Sequence, residues 1–491
     1  MHAPAARRLL LAALLLCSGA AGAQGSPNRY TFDSAQERLT ATSSALGAAR
    51  ANADASRSSA EAVGSLNLPI VSIDAQAFRY QKTLEVSLDA LRNAAGAVNA
   101  SINGFLASLP SGALPPGAAG QIATVGNSAL ARIPDSLSTT ITDNIWRPTM
   151  TLYWPIYTGG LSGATQDAAQ AGVRQADAEL LAASDTLSVQ LVAAYFGQQL
   201  AAQVRATSQQ NLARFEVHLG NAQRMERQGV LSKAQRLQVQ VARDAAQRQA
   251  LRADNDYDTA AAVLTRLLKE GGPIDPATPL FALSAPLPPQ QDFVDVGHAN
   301  APQLQRLQAL RDATRSGVKA AQAQWLPKVY GFGSYNFNSN NAVLPDPDWI
   351  VGIGLHYTLS SNVDRRSSEA AAQARARQAD AAIEQADNDL ETVIIRSYQG
   401  VETARRQFML LASNIEAAEE NVRVHTLGFR EGEATATALI DAQVALSVAQ
   451  TQRAAAAFEY DLALAQLLAA SGQMHEYTVY VAKADQRVNA P

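Results

Sequence analysis

The chain has 491 residues, enough for two or three domain-sized units. Its formal charge is −4 with 17% charged residues, which argues against a nucleic-acid partner, because that binding rests on neutralising phosphates. The only cysteine, Cys17, excludes a disulfide framework and a CxxC metal site.

At the N-terminus, Arg7 and Arg8 precede the apolar run Leu9 to Leu16, and small residues follow from Gly19 to Ala23. Ala21-Gly22-Ala23 fits cleavage before Gln24, so residues 1–23 read as a signal peptide that carries Cys17 away. Leu14-Leu15-Leu16 lacks the small residues a lipid-attachment site wants, so acylation of Cys17 is not expected. Removal takes two arginines and no acid, moving the charge from −4 to −6. The rest has no uninterrupted apolar stretch of about 20 residues, the length of a spanning helix. Any membrane segment must therefore be a closed barrel, since open strand edges are not satisfied in lipid.

Residues 24–270 read as a first structural repeat. A helix runs to Leu68-Pro69, a strand follows, and then comes an insertion at about 82–144 with several Pro and Gly between Leu106 and Pro116. In the next strand Met150, Leu152, Trp154 and Ile156 alternate with Thr151, Tyr153 and Pro155, giving one apolar face and one polar face. From Gly163 to Gly229 there is no proline over roughly 60 residues, which predicts a helix about 90–100 Å long. Gly229 supplies a turn with positive φ, and Ser232 is placed to cap the returning helix. A Pro-rich connector, 271–291, cannot continue that helix.

Residues 292–472 repeat the plan, leaving a C-terminal tail at 473–491. An offset of 203 residues sets Tyr195-Phe196-Gly197 opposite Tyr398-Gln399-Gly400 and Arg227-Gln228-Gly229 opposite Arg430-Glu431-Gly432. The same offset pairs Ser232 with Thr435, and Tyr257-Asp258 with Tyr460-Asp461. Leu326-Pro327 again precedes a strand, and Val351, Ile353, Leu355, Tyr357 and Leu359 alternate with small or polar residues. Ile394, Val401, Phe408, Ile415, Val422 and Phe429 then recur every seven residues, the spacing of a helix wound against partners.

Four strands per chain cannot close a barrel, because about eight are needed. Three copies would supply twelve, so a homotrimer is expected. The competing reading is a non-channel coiled-coil structural protein of the periplasm or surface. Catalysis is not expected. The histidines His218, His298, His356, His425 and His475 lack zinc spacing, and no nucleophile-elbow or phosphate-binding motif appears. No metal or cofactor is expected.

In this order, the motifs resemble the TolC-like outer-membrane efflux family over nearly the whole chain beyond residue 23. The carriers are Ala299-Asn300-Ala301-Pro302-Gln303-Leu304, Gln324-Trp325-Leu326-Pro327, Pro155-Ile156-Tyr157-Thr158-Gly159-Gly160, and Gly432 to Thr435 followed by Leu439-Ile440-Asp441-Ala442-Gln443. The resemblance implies a mainly α chain with membrane β: a trimeric twelve-stranded transmembrane barrel, four strands per chain, continuous with a periplasmic coiled-coil barrel. It also implies a passive export duct for efflux or type I secretion, which docks to a periplasmic adaptor and an inner-membrane pump of RND, ABC or MFS class. Gly229, Leu231, Ser232, Gly432 and Thr435 become adaptor-contact candidates at the hairpin tips. Asp441 and Phe429 become aperture candidates. Three departures from the family pattern are the second aperture aspartate, here Ala438, the latch arginine, here Ala434, and a gating tyrosine, here Phe429. On the family topology the insertion lies outside the cell, at the channel mouth.

Overall fold

The computed structural model describes residues 28–87, 136–338 and 347–488, together with Ser101. The expected signal peptide with Cys17, and most of the expected insertion, lie outside the described residues.

In chain order, β1 (Asn28–Tyr30) leads into α1 (Phe32–Thr42), whose Thr31 cap accepts from the Ser34 amide at 3.3 Å. Next comes α2 (Ser44–Gly64), and β2 (Ile70–Ser87) starts at the residue after Pro69. The partner strand is β3 (Ser136–Tyr157). Both strands enter the expected insertion, which therefore begins later and ends earlier than 82–144. Gly159 and Gly160, with φ of +70° and +87°, turn the chain into α3 (Leu161–Arg227), and α4 (Lys233–Leu267) returns. The connector is more structured than its prolines suggest. It forms β4 (Ile274–Pro276) and β5 (Leu280–Ala282), and α5 (Gln290–Asn300) already begins inside it. The second half supplies α6 (Pro302–Gln322), β6 (Lys328–Asn336), β7 (Trp349–His356), α7 (Arg365–Glu431) and α8 (Ala436–Ala470). The expected tail folds as well, into α9 (Tyr477–Lys483) and β8 (Gln486–Val488). Both long helices have 67 residues and both return helices have 35, so the repeat is a repeat of structure. At 1.5 Å per residue each long helix is about 100 Å.

The chain divides into two compact units. One, residues 51–177 and 306–384, is built on an antiparallel sheet in the order β2-β3-β6-β7. Register fixes its faces. Val71 pairs with Leu152, Leu152 with Gly333, and Gly333 with Val351; Ile73, Met150, Tyr335 and Trp349 form the next row. These rows share one face, and the apolar side chains on it are exposed, with Ile73 at 70%, Val351 at 68% and Ile353 at 75%. On the opposite face one row runs Ser72, Thr151, Ser334 and Ile350 and another Asp74, Thr149 and Asn336, with Ser72 and Thr151 hydroxyls 2.7 Å apart, while Ile70, Tyr153 and Phe332 form an apolar row beside them. A sheet with one continuous exposed apolar face and one mixed face suits a barrel in lipid. The alternation outlasts the strand: β7 ends at His356, and Tyr357 and Leu359 lie beyond it.

The other unit, residues 1–50, 178–305 and 385–491, holds the main core. Here β1 pairs with β4 in parallel, and β5 pairs with β8 antiparallel. Phe32 sits among aromatics, 5.5 Å from the Phe196 ring, 5.6 Å from Tyr195 and 5.1 Å from Tyr477. The heptad line is buried where the core is deepest: Ile394, Val401 and Phe408 are each at 0% exposure, while Ile415 and Val422 are half-buried. Glu402, next to that line, fastens the connector. It accepts from the Leu287 amide at 3.3 Å and pairs with Arg405 at 2.8 Å, while Arg405 donates to the Ser284 carbonyl at 2.8 Å. Burial works to raise the Glu402 pKa, but the hydrogen bonds from Arg405 and Leu287 outweigh it and hold the carboxyl below its ordinary value.

Candidate docking tip and periplasmic aperture

Each long helix ends in a glycine turn. Gly229 has φ +76° and Gly432 has φ +83°, a region that costs any other L-residue strain. In the first tip the amides of Val230 and Leu231 both reach the Met225 carbonyl, at 3.0 and 3.3 Å. In the second, Glu433 and Ala434 reach the Gly428 carbonyl, at 2.8 and 3.0 Å. Both turns thus satisfy the helix's orphan carbonyls in the same way.

The returning helices start on the residues the sequence proposed. Ser232 accepts from the Gln235 amide at 3.3 Å, and the Gln235 side chain accepts from the Ser232 amide at 3.1 Å, a complete capping box. Thr435 accepts from the Ala438 amide at 3.2 Å. Its N3 residue is alanine, so the reciprocal half of the box is missing.

Below the turns lies a small core of Ala222, Met225, Leu231, Val239, Phe429, Ala436 and Leu439, drawn from both hairpins. This separates the candidates. Gly229, Ser232, Gly432 and Thr435 are exposed and available to a partner. Leu231 is 8% exposed and Phe429 1%, so within one chain both are packing residues. Burying a ring such as Phe429 stabilises the tip by about 2–3 kcal/mol. Asp441 is exposed on the second turn of α8. The sequence reading passed over Val230, which stands 60% exposed between Gly229 and the buried Leu231. Its signal was an apolar residue directly after a positive-φ glycine. It also passed over the 3.0 Å ion pair of Glu226 and Arg236, which ties the first hairpin across its turn. His218, on α3 above the tip, is 6% exposed and has no partner on Nδ1; burial, helped by Arg430 and Arg214, pushes its pKa down and keeps the ring neutral. No cluster of metal-ligating side chains occurs among the described residues.

Two matching glycine-turned hairpins on one chain, with a four-stranded sheet that is oily outside, agree with the comparisons. A profile of the outer membrane efflux protein family matches residues 124–269 and 297–473. The chain belongs to that family. It is an outer-membrane efflux protein. The family is one of transport ducts and not of enzymes. Among solved structures, a membrane protein from Pseudomonas aeruginosa is similar at 15% identity, with 90% of this chain and 93% of that chain covered and a TM-score of 0.70. The transmembrane channel CusC is similar at 12% identity, with 90% and 92% covered and a TM-score of 0.70. The open-state MtrE outer membrane channel of Neisseria gonorrhoeae is similar at 17% identity, with 90% and 89% covered and a TM-score of 0.67. At these identities the likeness is one of fold. A search of curated proteins by sequence gave no match. By length and composition α3 would also pass for a membrane span, but its Leu191, Val192, Tyr195 and Phe196 are buried in the chain's own core.

Proposed function

We propose that three copies close a twelve-stranded barrel in the outer membrane, β7 of one pairing with β2 of the next, and that the helices of the three chains line a periplasmic tunnel. One observation carries this: the four-stranded sheet exposes its apolar face and, among the described residues, ends on two unpaired edges, β2 and β7. In hydrocarbon such edges leave every other backbone group unsatisfied, at several kcal/mol each. The duct is passive and exports cargo handed over by an inner-membrane pump of RND, ABC or MFS class through a periplasmic adaptor. The adaptor meets the tips at Gly229, Ser232, Gly432 and Thr435, with Val230 added to the contact and Leu231 supporting it from below. Asp441, exposed and repeated three times around the axis, forms an acidic ring at the aperture that attracts cations. Phe429 acts on that aperture by setting the tip's packing.

The test is reconstitution. Heat-resistant trimers from outer-membrane fractions that conduct ions in planar bilayers support the duct; a water-soluble monomer without conductance would sink it and favour the structural rod. A photo-crosslinker at position 230 should capture the adaptor in cells, whereas one at the buried position 239 should not.

A further inference from the structure

Asp461 lies on α8 in the middle of the main core, and it is 0% exposed. Neither carboxyl oxygen has a hydrogen-bond partner. The Phe281 main chain on β5 offsets a fraction of the burial that pushes this carboxyl well above its ordinary pKa. The lid over the site is the end of the chain. After Gly472 the chain forms a short turn, Met474–Glu476, then α9, whose Tyr477 hydroxyl donates to the Asp461 carbonyl at 3.4 Å, then β8, which pairs with β5. Gly472, at the start of this strap, is a position that only glycine fits. Its φ is +72°, and a Cβ there would sit 2.5 Å from the Asn300 carbonyl oxygen.

We propose that the C-terminal strap, Met474 to Val488, is a proton-linked cover that seats while Asp461 carries its proton and loosens when the proton leaves. An ionised carboxylate sealed in this core would have no cation to meet. The groups facing it are Tyr460 from α8 and Tyr477 from α9; around Tyr460 stand Tyr480 of α9 and the mutually paired Glu402 and Arg405 of α7. β5 contributes main chain alone. Lifting the strap lets water reach the carboxyl and returns it toward its ordinary pKa, so opening and proton release are one linked event. Between the ordinary and the raised pKa, the open fraction then grows about tenfold per pH unit. A second titratable group lies near the strap: burial lifts Asp185 on α3 to about 6, with His475 of the strap opposing it.

The experiment is hydrogen exchange on the full-length protein in detergent from pH 5 to 8, following amides 474–488 after correction for intrinsic exchange and taking α1 as reference. In the wild type the strap amides gain exchange with rising pH, by up to about tenfold per unit. Asp461→Asn and Asp461→Leu flatten that dependence, and Asp185→Asn leaves it in place. The proposal is overturned if wild-type strap exchange is independent of pH, if both Asp461 variants keep the wild-type slope, or if Asp185→Asn alone removes it.

Discussion

The hairpins α3–α4 and α7–α8 have the same helix lengths and the same capped glycine turn, yet their return helices meet different surroundings. On α4 the buried positions are Val239, Ala246, Ala250, Ala253 and Leu264, whereas α8 buries a near-continuous set from Ala436 to Leu468. The matching Tyr-Asp pairs show what that does. Tyr257 is half-exposed under the Arg205 guanidinium, 3.8 Å from its ring centre, and Asp258 is open to solvent. Tyr460 and Asp461 are both at 0% exposure. At the position equivalent to Arg205 stands Phe408, which is fully buried. One helical plan has been used twice, once as a wetted wall and once as a core, and the difference comes from the strands and strap that cover the second copy.

That comparison can be broken or sharpened by substitution. The largest loss should come from Phe408→Ala, which empties a fully buried site and should cost about 3–5 kcal/mol, read as a lower thermal midpoint of the purified protein. Asp461→Asn should act in the opposite direction at neutral pH. Its folded pKa is raised, so the carboxyl's contribution is intact below the ordinary carboxylate pKa and is lost as pH climbs toward the raised value. The variant should therefore melt higher than wild type at pH 7.5, with the gap narrowing as pH falls toward 4, while Asp258→Asn shows no such gap. Equal behaviour of the two would erase the distinction between the hairpins. Gly229→Ala and Gly432→Ala should each destabilise their tips by about 1–2 kcal/mol, since neither position is crowded and the strain lies in φ alone. Faster exchange of tip amides would report it. Ser232→Ala should cost about 1 kcal/mol and Thr435→Ala less, because the first cap is reciprocal and the second is not. Smallest is Arg205→Ala, at about 0.5–1 kcal/mol for a half-buried cation over a ring, against the several lost at Phe408.

Much of the architecture was legible residue by residue. Pro69 and Pro327 stand directly before β2 and β6 because proline favours extended backbone and cannot continue a helix; Gly229 and Gly432 reverse helices because they tolerate positive φ; Ser232 and Thr435 cap because their hydroxyls reach the third amide. These are local effects with a local signature. The site was less legible. Leu231 and Phe429 read as contact and aperture residues, yet both face the small core shared by the two hairpins. Their burial depends on helices separated by some 200 residues in sequence, and periodicity does not report that distance. The strands of the connector and the tail were not legible because β4, β5 and β8 have three residues each, too short for an alternation to show.

By itself the sequence determined the periods: seven for the second long helix, two for the strands, and 203 for the repeat, since each is a spacing that chain geometry turns directly into a face or a fold unit. Tertiary structure alone decided which of two equal faces stays wet. Tyr257-Asp258 and Tyr460-Asp461 have the same letters, and only the strap and strand laid over the second pair exclude water from it, removing the dielectric that lets a carboxylate hold its charge.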